Sequence, residues 1–108
     1  MKSALKTLAR LASSRAQQIY ISDATPDEYY VPEQLIEDAI HALDSGNLGT
    51  HLSAQALSKA LKSFRIPEGV SNRELVEVYE PWCRVRVASR NLLEDFKFDL
   101  EEWEESEL

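Results

Sequence analysis

Apolar residues recur along most of the chain at spacings of three and four, the pattern of helices with one buried stripe. Leu5, Leu8, Ala12, Ala16 and Ile19 make such a stripe, with Lys2, Lys6 and Arg10 on another face, which predicts a helix from Lys2 to about Tyr20. Thr25-Pro26-Asp27-Glu28 follows inside a connector and suits a short capped turn. From Pro32, Leu35, Ile36, Ala39, Ile40 and Leu43 predict a second helix to about Ser45, with Gly46 placed to end it. Ala56, Leu57, Ala60, Leu61 and Phe64 predict a third. If Ser53 caps that helix, Leu52 and Leu57 hold the two positions of a hydrophobic staple.

Ile66-Pro67-Glu68-Gly69 reads as a loop, and Ser71-Asn72-Arg73-Glu74 matches the capping box S-x-x-E. A fourth helix should start there, with Leu75, Val78 and Tyr79 inward. Pro81 either interrupts it or opens a fifth. Beyond Pro81 two periods compete. At helical period Trp82, Val85, Leu92, Phe96, Leu100 and Trp103 share one face, with no Gly or Pro between them. At period two, Val85 and Val87 alternate with arginines, and Phe96, Phe98 and Leu100 alternate with charges around a Ser89-Arg90-Asn91 turn. The helical pattern is the longer. The expectation is therefore an all-α compact bundle of four to five short helices; the alternative is an α+β fold with a β-hairpin at about 83–101. One helical domain over 1–100 and an acidic tail over 101–108 complete the organisation, the tail either frayed or docked through Trp103.

Composition agrees with helices: 3 Gly and 4 Pro in 108 residues are too few for the turns of an all-β chain. No apolar run approaches the ~18 residues needed to cross a bilayer. A single cysteine, Cys83, allows no internal disulfide, and a reducing, cytoplasmic setting is the natural one. The basic, acid-free opening has the composition of a targeting peptide. Its apolar stripe makes a structural first helix the expectation.

The net charge of −7 is unevenly placed. Residues 1–19 carry four bases and no acid, residues 20–51 seven acids and no Lys or Arg, residues 52–73 four bases against Glu68, and residues 74–108 eleven acids against four bases. Such blocks can neutralise one another in the fold or present an acidic surface to a basic partner.

Site chemistry is sparse. Glu37, Asp38 and His41 share a helix face, but with only His51 to join them they fall short of a zinc ligand set. Cys83 has no histidine near it in sequence and reads as a small, partly buried apolar residue. Gly46-Asn47-Leu48-Gly49 lacks the pattern and lysine of a phosphate loop, Asp44 does not continue into a calcium loop, and no serine sits in G-x-S-x-G. Neither an enzyme nor a cofactor is expected.

Two acidic segments carry aromatics: Tyr29 and Tyr30 among Asp23, Asp27, Glu28 and Glu33, and Trp103 among Glu102, Glu104 and Glu105. Aromatic anchors rimmed by charge are what protein interfaces use. Tyr29, Tyr30, Glu33, Glu102, Trp103, Glu104 and Glu105 are thus the candidate partner-binding residues. The expected function is a non-enzymatic acidic protein that modulates or inhibits a partner with a basic surface, in the manner of small inhibitors, immunity proteins, antitoxins or the nucleic-acid mimics of phages and plasmids. The alternative is a small DNA-binding regulator using the helix-loop-helix at 53–80, where Lys59, Lys62, Arg65 and Arg73 concentrate. Against it stand three glutamates on its second helix, which a phosphate backbone repels, and a turn longer than such motifs use. A third expectation is homo-oligomerisation through the first or last helix.

Overall fold

The structure, a computed structural model, describes residues 2–23, 30–45, 48 and 51–108. Among them are seven α-helices and no strand: α1 Lys2–Ala12, α2 Ser14–Gln17, α3 Pro32–Ser45, α4 Leu52–Ser63, α5 Asn72–Glu77, α6 Glu80–Asp95 and α7 Leu100–Glu107. A π-helical turn, Gln18–Ser22, continues α2. The all-α fold class stands, with more and shorter helices than the four to five expected, because two of the expected helices are each broken once. Thr25-Pro26-Asp27-Glu28, Tyr29 and Gly46 lie outside the described residues.

At the centre is α1, packed against α3 on one side and α6 on the other, while α4 closes the bundle against α6 and α3. Leu8, Ala9, Leu11 and Ala12 are at most 1% exposed, and they meet a core that includes Leu57, Leu61, Leu75, Trp82, Leu92 and Leu93. Trp82 anchors its middle: its indole is fully buried beside Phe64, ring centroids 5.9 Å apart. The Cα radius of gyration, 13.1 Å, is what a compact domain of this length has.

The first expected helix breaks at Ser13, whose backbone is extended (φ −88, ψ 109) and whose hydroxyl accepts from Ala16 N at 3.0 Å to start α2. Short hydroxyl side chains compete with the helix for backbone partners in this way. The carbonyls orphaned at the end of α1 are answered by the buried Gln17 amide, which donates to Arg10 O (3.1 Å) and Leu11 O (2.6 Å). The π turn then shifts the phase, so that Ile21 is buried and Ile19, expected inside, is 37% exposed.

In α4 the buried positions are Ala54, Leu57 and Leu61, followed by Phe64, and Ala56 is exposed. His51 is the N-cap residue, with Ser53 already inside the helix and its hydroxyl 3.0 Å from His51 Nδ1. Leu52 is 81% exposed, so the expected staple with Leu57 does not form. The helix starts at the predicted cap: Ser71 Oγ accepts from Glu74 N at 3.1 Å, and the hydroxyl donates to the Glu74 carboxylate at 3.3 Å. α5 ends at Glu77, which leaves Val78 74% exposed where an inward position was expected. Pro81 sits in the first turn of α6, where its missing N–H leaves no hydrogen bond unmade.

After Pro81 the chain is helical, and no hairpin forms at 83–101. The helix does not run through to Trp103, however. It stops in a turn where Lys97 takes the left-handed conformation (φ 56), Lys97 N donates to Glu94 O (3.0 Å) and Phe98 N to Leu93 O (2.9 Å). Those two bonds are a Schellman cap, built on lysine where glycine is usual. Asp99 then caps α7 by accepting from Glu102 N at 3.0 Å.

Candidate functional site

The segment 101–108 belongs to α7, which is held by one apolar anchor and framed by acids. Trp103 is 8% exposed and part of the core, with Leu100 and Leu108 packed beside it. Burial makes Trp103 the root of the helix, and what α7 presents outward is Glu101, Glu102 and Glu105, all exposed. Glu104 is half-buried because it turns back: the Ser13 hydroxyl donates to its carboxylate. Ser13 therefore joins three elements, ending α1, capping α2 and fastening α7.

Tyr30 reaches the same region from the other acidic segment. Its N–H donates to Tyr20 O at 2.8 Å and its ring stacks on Tyr20, centroids 4.6 Å apart at 27°. The Arg10 guanidinium lies over its face, 5.7 Å from the centroid. Burial raises the Tyr30 phenol above its ordinary value of 10.0; Arg10 opposes the rise, and the charges of Tyr20 and Glu107 add to it. Glu107, on the last turn of α7, is thus an electrostatic neighbour of Tyr30. Tyr30 and α7 are brought together although more than seventy residues separate them. Glu33 is exposed in the first turn of α3, and among the described residues no hydrogen bond or ion pair joins it to α7. Tyr29 lies outside the described residues.

Beside α7 runs a groove of about 480 Å³ whose lining includes Arg15, Arg90, Leu93, Glu94, Phe98, Glu101 and Glu104. Arg15 and Arg90 were not among the sequence-derived candidates. No local pattern marks them, since they come from α2 and α6 and meet only in the fold.

The ion pairs among the described residues lie elsewhere: His51–Asp95 at 3.7 Å, Lys62–Asp44 at 3.9 Å, Arg73–Asp23 at 2.8 Å, Arg73–Glu77 at 4.0 Å and Arg84–Glu80 at 2.6 Å. None includes a carboxylate of α7. The bases of the 53–80 segment are drawn in different directions. Lys62 and Arg73 face acids of the chain itself, and Arg65 donates to the carbonyls of Lys62 and Phe64. A second polar cluster is internal: the fully buried Gln17 Oε1 accepts from Trp82 Nε1 (2.9 Å) and Arg86 Nη1 (3.0 Å), and Arg86 also donates to Val76 O at the end of α5 (3.0 Å). Cys83, half-buried, lies 3.5 Å from the Arg86 guanidinium.

His41 is exposed, and Asp38 accepts from Gln34 Nε2 at 2.8 Å rather than pairing with it. No group of three or more His, Cys, Asp or Glu among the described residues could hold a metal ion. No described helix is long and apolar enough to cross a membrane. Compared with known proteins, the chain finds no counterpart: no family model, no curated protein and no solved structure matches it.

Proposed function

We propose that the protein acts without catalysis, in the cytosol, by holding the outer face of α7 against a basic surface of a partner protein and so modulating or inhibiting it. The observation that carries the reading is electrostatic. Five glutamates, Glu101, Glu102, Glu104, Glu105 and Glu107, crowd one eight-residue helix, and none is in an ion pair among the described residues. Glu101 faces Glu105 at i,i+4 and Glu102 faces Glu105 at i,i+3, like-charge pairs that each destabilise a helix by about 0.2–0.5 kcal/mol. Glu104, Glu105 and Glu107 also sit in the last turns, where the helix dipole favours cations. Glu101 and Glu102, in the first turn, suit the dipole, but Glu105 and Glu107 gain nothing from it, so their repulsion is charge that the stability of α7 does not require. A basic partner relieves the repulsion and is steered to the face from a distance.

The test is a charge-neutralised variant, Glu101→Gln/Glu102→Gln/Glu105→Gln, which leaves the Glu104–Ser13 bond intact. The protein and the variant, each immobilised, are incubated with lysate of the native host at low and at raised salt, with circular dichroism confirming equal helicity. The wild type should retain a basic protein at low salt and release it as salt rises, and the variant should retain much less. Equal retention by both at low salt would overturn the proposal.

A further inference from the structure

Helix α7 stands apart from the packing that builds the rest of the molecule. The closely packed helix pairs are α1 with α3 and α6, α4 with α6 and α3, and α5 with α6, and α7 belongs to none of them. It is attached by the Trp103 side chain and by the partly buried Leu100 and Leu108, which pack against the core. Beyond its own cap at Asp99, its hydrogen bond to the body of the protein among the described residues is the one that the Ser13 hydroxyl donates to Glu104. The entry to the helix is strained, because Lys97 holds φ 56 on a residue with a side chain. Within it, Glu105 is repelled by Glu101 and Glu102 one turn earlier. Sparse packing, a strained entry and internal repulsion mark a segment that opens at a lower cost than the whole fold.

We propose that α7 is a detachable arm, which undocks as one unit from the turn at 96–99 while the other helices stay folded, and which loses its helix when it does. The second half follows from length. An eight-residue helix is unstable in water without a surface to lie on, so α7 is helical only while Trp103 is seated. Docking therefore forms the outward row Glu101, Glu102 and Glu105, and opening dissolves it. The Ser13–Glu104 bond and the Lys97 turn set the balance from opposite sides, the first holding the arm closed and the second straining it. This deepens the reading of α7 as the partner-binding face by naming what switches that face on and off. The opening is measured without a partner, so it can stand where that reading fails and fail where that reading stands.

Native-state hydrogen exchange of the full chain, followed by NMR at rising urea below the unfolding transition, tests it. The Trp103 and Leu108 amides bond inside α7, to Asp99 O at 3.1 Å and Glu104 O at 2.9 Å, so they exchange only when the helix itself dissolves. Amides from 103 to 108 should share one protection factor and one urea dependence, with protection about a hundredfold or more below that of Leu8, Leu57 and Leu92 in the core. Glu104→Ala, which leaves the Ser13 cap of α2 in place, should lower the shared value by about tenfold without changing the core amides. Lys97→Gly should raise it by about fivefold. Protection over 103–108 equal to that of the core overturns the proposal, because α7 would then unfold only with the whole molecule. Protection that declines residue by residue towards 108 and ignores urea overturns it too, since that is fraying of a helix end. A Glu104→Ala variant that loses core and α7 protection equally has the same consequence.

Discussion

Gln17→Leu is the substitution with the most sharply defined consequence. The Gln17 amide is fully buried and uses all its hydrogen-bonding capacity: two donors to the last carbonyls of α1, and one oxygen accepting from Trp82 and Arg86. Leucine nearly matches its volume and keeps the packing, so the change isolates the hydrogen bonds. Arg86 retains Val76 O, and the Arg10 carbonyl bond is only partly buried, so neither loss leaves a fully buried group without a partner. The Trp82 N–H is different, because its residue is 0% exposed and its hydrogen bond among the described residues is the one to Gln17. An orphaned buried donor is destabilising by about 1–3 kcal/mol, and the bonds to Leu11 O and Arg86 add about 1 kcal/mol each. Set against the modest gain from an extra apolar side chain, the net loss is about 3 kcal/mol, from a total stability of roughly 5–15 kcal/mol for a domain of this size. Urea unfolding followed by circular dichroism measures it directly, and the midpoint of thermal unfolding should fall by about 10 °C or more. Trp82→Phe in both backgrounds closes a double-mutant cycle, in which the coupling between positions 17 and 82 should be about 1–2 kcal/mol. A Gln17→Leu loss below about 1 kcal/mol, or strict additivity with Trp82→Phe, would refute the reasoning.

Two further outcomes follow from the same geometry. Lys97→Gly relieves a left-handed backbone that a side chain resists, and should stabilise the protein by about 1 kcal/mol in urea unfolding; a neutral or destabilising result would mean that the Lys97 side chain contributes more than its strain removes. Tyr30 sets a dependence on alkaline pH. Because its folded pKa is raised above the unfolded value of 10.0, chiefly by burial, the unfolded chain gives up the proton first. The stability it contributes is complete below about pH 10 and is lost as the pH climbs through the folded value. Unfolding free energies between pH 9 and 11 should therefore fall more steeply for the wild type than for Tyr30→Phe, and parallel slopes would show that the ring is not held as described.

What could be read from the chain was what local chemistry decides. The stripe from Leu35 to Leu43, the Ser71 cap and the restart at Pro81 each depend on neighbours within a turn, and each appears where its spacing put it. The departures have tertiary causes. Nothing near Ser13 says that the first helix must end there, because the bond that completes the break comes from Gln17, whose own oxygen is fixed by Trp82, sixty-five residues away. Lys97 carries no breaker signal, and its left-handed turn is sustained by what it lets the chain bury afterwards, Leu100 and Trp103. The acidity of the tail was plain, but the aromatic residue within it faces the core, and the meeting of Tyr30 with the end of α7 joins segments that sequence spacing cannot connect. Ser13, Lys97 and Trp103 have one thing in common: each helps to seat α7, through the bond to Glu104, the turn before the helix and the anchor within it. Natural sequences depart from local consistency chiefly where a function or a strained contact requires it. That two such departures, at Ser13 and Lys97, converge with the Trp103 anchor on the helix richest in glutamate is the reason for proposing the partner-binding face there.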